Sequence, residues 1–116
     1  MNALELLKTL AKVADDKRAV DQVALDLQGL TTVADYFLIL STLNSRQLDT
    51  LSDTLIEAGE VAGLSGIHPE GDAKSGWVLL DFDGVVVHLF SEEGREHYNL
   101  EKLWHEAPLV DLGLDA

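Results

Sequence analysis

The chain has 116 residues, 47% of them hydrophobic, with 21 acidic against 8 basic side chains for a formal net charge of −13. That length suits one domain with a core of its own, and the supply of Leu, Val and Ile excludes intrinsic disorder despite the charge. The absence of cysteine excludes disulfides, thiolate zinc sites and thiol catalysis, and no apolar run approaches the roughly 20 residues that cross a bilayer.

In chain order, residues 3–14 place Ala3, Leu6, Leu7, Leu10, Val13 and Ala14 on one side at helical spacing. Glu5, Lys8, Lys12 and Asp15 fall on the other side, which predicts an amphipathic helix. Residues 20–27 alternate Val23, Leu25 and Leu27 with Gln22, Ala24 and Asp26, the pattern of a half-buried strand. The continuously apolar run at 36–40 suits a central strand covered on both faces. A second helix is predicted from a cap at Asn44, with Gln47 three residues on, to a stop at Gly63. Its buried stripe is Leu48, Leu51, Leu55, Ala58 and Ala62; its outer face carries Asp49, Asp53, Glu57 and Glu60. Residues 64–68 read as a short edge strand before Pro69, and the EGDAKSG that follows reads as a flexible polar loop. Residues 77–82 and 85–90 form two strands around Asp83-Gly84, a strong hairpin signal. Ser91 then caps a short helix through Tyr98, and Asn99 caps a last turn that Pro108 cannot let run far. The order is helix-strand-strand-helix-strand-strand-strand-helix. It predicts one small mixed α/β domain over 1–116, helices packed on a sheet of about five strands, with a short acidic tail from about residue 109.

A two-residue hairpin loop sets a register, Trp77 opposite Phe90 through Phe82 opposite Val85, and side chains then alternate between faces. One face reads Val78, Leu80, Phe82, Val85, Val87 and Leu89 and must be core. The other reads Trp77, Leu79, Asp81, Val86, His88 and Phe90. That mixture fits either an interaction surface or a face covered by a helix with Asp81 and His88 at its margin.

The charge is unevenly spread. Lys8, Lys12, Lys17 and Arg18 fall within the first eighteen residues, so the rest of the chain is strongly acidic. Such a body repels bare phosphate, and no sequence-specific nucleic-acid binding is expected. It is either an ordinary solvated surface or one suited to a basic protein partner. The acids at Glu5, Asp15 and Asp16 argue against a secretory or transit leader, so a soluble, cytoplasmic protein is expected. Asp81 and Asp83 could hold Mg²⁺ in a nucleotidyltransferase, but no phosphate-cradling Gly-Ser pair, third carboxylate or nearby cation accompanies them. His68, His88, His97 and His105 lack close ligand spacing. Neither an enzyme nor a metal or other cofactor is expected.

The runs DQVALDLQGLTTVADYFLILSTLNSRQ, Glu70-Gly71, GWVLLDFDGVVVHLF and REHYNLEKLW with its following AP resemble the Iojap-type ribosomal silencing factors over roughly residues 3–112. The DFDG turn departs from the shorter glycine turn common in that family. The resemblance implies a domain distantly nucleotidyltransferase-like in fold. It implies binding to the large ribosomal subunit through its fourteenth ribosomal protein, obstruction of small-subunit joining under nutrient limitation, and a possible homodimer. The family's motifs fall on Glu70, Trp77, Asp81, His88, Arg95, Tyr98, Glu101 and Trp104. Trp77, Tyr98 and His88 are the expected contact anchors, while Glu70, Asp81 and Glu101 would receive Lys or Arg from the partner. Arg95 is either a contact or an internal ion-pair partner, and Trp104 belongs with the core. The alternative to ribosome binding is an acidic adaptor for some other basic protein.

Overall fold

Two asparagines start the two long helices. Each is extended, and its side-chain oxygen accepts from a free amide three residues on: Asn2 from Glu5 and Asn44 from Gln47, both at 2.8 Å. Helix α1 runs Ala3–Asp16 and α2 runs Ser45–Val61 in this computed structural model, which describes residues 2–114. Gln47 completes the cap from its own side, accepting from Leu43 N–H at 3.1 Å, one residue earlier than in the usual reciprocal box. Leu48, Leu51 and Leu55 of the predicted stripe are buried, whereas Ala58 and Ala62 are half-buried.

The strands are β1 (Val20–Asp26), β2 (Tyr36–Thr42), β3 (Glu70–Asp72), β4 (Trp77–Asp81) and β5 (Val85–Ser91), and they form a sheet in the order β1-β2-β5-β4-β3. β2 and β5 run parallel at its centre and the other pairs are antiparallel, so the sheet is mixed. Both central strands need partners on both faces, which explains why every residue of β2 is buried. The hairpin has the register expected of a two-residue loop, from Trp77 opposite Phe90 to Asp81 opposite Val86. Asp83 and Gly84 both adopt left-handed φ, 64° and 57°, as a type I′ turn requires.

The third strand does not lie where the sequence suggests. Residues 64–69 are irregular, with Gly66 at a left-handed φ of 72°, although Leu64 and Ile67 still pack against the core. Glu70–Asp72, read as loop, pairs with β4 instead, and Ala73–Ser75 makes a single 3-10 turn back into it. All three β3 residues are exposed, so backbone hydrogen bonding to an open strand edge forms this strand, and hydropathy could not reveal it.

Helices α1 and α2 cover one face of the sheet, enclosing Leu38, Leu40, Val78, Leu80, Phe82, Val85, Val87 and Leu89. The short helices α3 (Glu92–Tyr98) and α4 (Leu100–Leu103) lie toward the other. There Leu100, Trp104 and Ala107 close over Leu25, Phe37, Ile39 and Val86. Residues 108–110, where the acidic tail was expected to begin, pair with the outer side of β1. Asp26 N–H donates to Pro108 at 2.8 Å and Val110 N–H to Ala24 at 2.9 Å. Asp115, the last acid of that tail, is outside the described residues. One sheet edge is thus covered, and the second face stays open only toward β4 and β3.

Candidate functional site

The second face of the hairpin is divided by strand. Its β5 residues, Val86, His88 and Phe90, are buried, while on β4 Trp77 and Leu79 are half-buried and Asp81 is exposed. The division follows from sheet order, because β5 is central and β4 is flanked only by the three-residue β3.

Trp77 sits at the centre of the open part. Its ring stacks on Phe90 with centroids 5.4 Å apart and meets Tyr98 at 4.6 Å. Tyr98 ends α3 and is 40% exposed. Its position depends on how closely α3 approaches the sheet. Ser91 caps that helix, its hydroxyl accepting from Gly94 N–H at 2.9 Å, while its own amide donates to Gly76 at 3.1 Å. A Cβ on Gly94 would collide with the Gly76 carbonyl oxygen, so only glycine lets α3 lie this near. Glu70, Gly71, Ser75, Trp77, Leu79 and Tyr98 together line a groove of about 270 Å³. Glu70 is exposed at its rim, and the ion pairs among the described residues, Lys12–Asp16 and Arg95–Glu101, leave its carboxylate without a cation.

His88 lies beneath this surface, 3% exposed, where no partner can reach it. The Trp77 indole can only donate, so its Nε1–H goes to His88 Nδ1, 3.1 Å away, and the imidazole proton resides on Nε2. That buried Nε2 finds no protein partner among the described residues, and an unpaired buried donor costs about 1–3 kcal/mol. Phe37 packs edge-on against the ring at 4.5 Å. Burial lowers the His88 pKa from 6.5 to about 4, so the ring is neutral at pH 7.

The structure separates the remaining expected residues from the groove. Arg95 Nε donates to Glu101 at 2.8 Å, Nη1 to the Ser41 hydroxyl at 2.9 Å, and Nη2 to the Asp21 carbonyl at 2.7 Å. With its side chain 13% exposed, Arg95 is the internal ion-pair partner, tying α3 to α4, β2 and β1. Glu101 is occupied by Arg95 from within the chain. Asp81 is exposed, and one of its oxygens accepts from Asp83 N–H at 2.9 Å within the turn. Trp104 packs edge-on against Phe37 at 5.6 Å, with the core as expected. The sequence placed Leu79 on this face without singling it out, and gave no role to Gly76 or Gly94. Leu79 was legible from the hairpin register, but the glycine contact joins two segments whose approach nothing local reveals.

A sheet edge that presents an aromatic groove with a bare carboxylate at its rim has the make-up of a protein-binding surface on a small mixed α/β domain. The family model described as "Ribosomal silencing factor during starvation" matches residues 1–115, and the chain belongs to that family. The ribosomal silencing factor of Bacillus subtilis is 43% identical over 112 residues, covering 97% of this chain and 95% of that protein. The chloroplastic Iojap protein of Zea mays is 34% identical over 114 residues, covering 97% of this chain and 49% of that protein. Two solved structures share the fold. One, of a Bacillus halodurans protein, aligns with a TM-score of 0.79 at 37% identity, covering 92% of this chain and 97% of that one. The other, of a Chromobacterium violaceum protein, gives 0.85 at 26% identity, covering 100% and 96%.

Proposed function

We propose that this domain silences translation by binding the large ribosomal subunit through its fourteenth ribosomal protein and obstructing the small subunit when nutrients are scarce. Membership in the silencing-factor family over residues 1–115 carries the reading. Electrostatics support it: a chain of net charge −13 is repelled by ribosomal RNA and steered toward a basic ribosomal protein set within it. In this reading Trp77 and Tyr98 make the central contacts, and Glu70 and Asp81 receive cations of the partner. His88 acts from beneath, and the Arg95–Glu101 pair braces α3, which carries Tyr98, against α4. The action is steric, made in the cytoplasm, with no bond formed or broken. A homodimer through the same surface would compete with the subunit.

Co-sedimentation with separated ribosomal subunits tests the proposal. The protein should pellet with the large subunit and not the small, and should reduce subunit joining when added beforehand. Equal pelleting with both subunits, or with neither, would overturn it.

A further inference from the structure

We infer that His88 is a positioning residue of the binding surface: its Nδ1 takes the Trp77 indole N–H and fixes the ring against Phe90 and Tyr98, so that a partner meets the indole already oriented. The inference rests on the contact surface proposed above. A half-buried tryptophan beside a sheet edge has side-chain freedom that binding must remove, and a hydrogen bond to a rigid, buried acceptor removes it beforehand. The acceptor stands at the right place for this, 3.1 Å from Nε1 on the central strand next to the one that carries Trp77. The indole has no other donor, so its hydrogen-bonding capacity is consumed inside the fold.

Packing alone does not explain a histidine here. Ile39, Val86 and Phe90 fill the surrounding face with apolar side chains, so a leucine at 88 would pack among them and remove the unpaired Nε2 donor, and what it would lose is the acceptor of the Trp77 indole N–H. The imidazole is suited to the task because it remains neutral at pH 7 and so keeps Nδ1 as an acceptor. A residue retained for packing and one retained for orientation predict opposite results on replacement by leucine.

The experiment compares the full chain with Trp77→Ala, His88→Leu and His88→Asn. Melting, dissociation from the large ribosomal subunit, and hydrogen exchange at the indole N–H of ¹⁵N-labelled protein are measured, with Trp77 assigned by its loss in Trp77→Ala. His88→Leu should keep a cooperative melt, leave the subunit about tenfold faster, and speed exchange at the Trp77 indole. His88→Asn places an amide oxygen near the position of Nδ1 and should recover most of the lost affinity. If Trp77→Ala binds weakly while His88→Leu binds like wild type, positioning by His88 is refuted. If Trp77→Ala itself binds like wild type, the contact surface is wrong and this inference falls with it. Should His88→Leu fail to fold, the wild-type indole decides: slow exchange supports the hydrogen bond, and exchange as fast as free tryptophan refutes it.

Discussion

Acidifying the protein from pH 7 to pH 5 should cost stability through His88. In the unfolded chain the imidazole titrates near 6.5, whereas in the folded domain burial lowers its pKa to about 4. Between those values the unfolded chain binds a proton that the folded one cannot. The stabilisation is therefore complete above 6.5 and is lost as the pH falls toward 4. At 1.36 kcal/mol per pKa unit the whole window is worth about 3 kcal/mol, of which about 2 kcal/mol is gone by pH 5. The carboxylates act in the opposite direction, since protonating part of a chain of net charge −13 relieves self-repulsion. The comparison must therefore be a difference. Urea unfolding of wild type and His88→Leu at pH 7 and pH 5 gives two stability gaps, and the gap should shift by about 2 kcal/mol against wild type at the lower pH. A gap that does not change with pH would show that the imidazole is not buried as a neutral base, and the reasoning would fail.

Val87 is fully buried on the helix-covered face, so Val87→Asp should unfold the domain, the uncompensated charge costing several kcal/mol against a total of roughly 5–15 kcal/mol. Trp77→Ala should keep a cooperative melt but weaken subunit binding about thirtyfold, and equal melting of the two variants would make Trp77 core. Arg95→Ala leaves Glu101 unpaired and frees α3 and α4 from β1 and β2. It should cost about 3 kcal/mol, a drop of order 10 °C in Tm, with Arg95→Lys restoring less than half because an ammonium lacks the planar fork. A Tm change of under about 2 °C would refute the clamp. Asp83→Asn keeps a residue tolerant of left-handed φ and should leave both melting and subunit binding unchanged; Mg²⁺-dependent nucleotide turnover abolished by it would instead establish catalysis.

Much of what depends on neighbours in sequence was legible in advance. The 3.6-residue stripe of α2, its Asn44 cap, and the Asp83-Gly84 turn with the register it imposes are local matters, decided by steric limits on φ and by alternation along a strand. The register even sorted the hairpin into a wholly apolar face and a mixed one. What it could not do was divide the mixed face, because burial there depends on sheet order: β5 is central only because it pairs in parallel with β2, 49 residues earlier (Tyr36 opposite Val85). That pairing buries His88, expected at the surface, and leaves Trp77 half-open beside it. β3 carries no hydrophobic signal because backbone groups form it at an edge where its side chains meet solvent. Arg95 was undecided between contact and clamp for the same kind of reason. Its partners at Asp21, Ser41 and Glu101 come from three separate segments, and only the folded chain brings a carbonyl, a hydroxyl and a carboxylate within reach of one guanidinium.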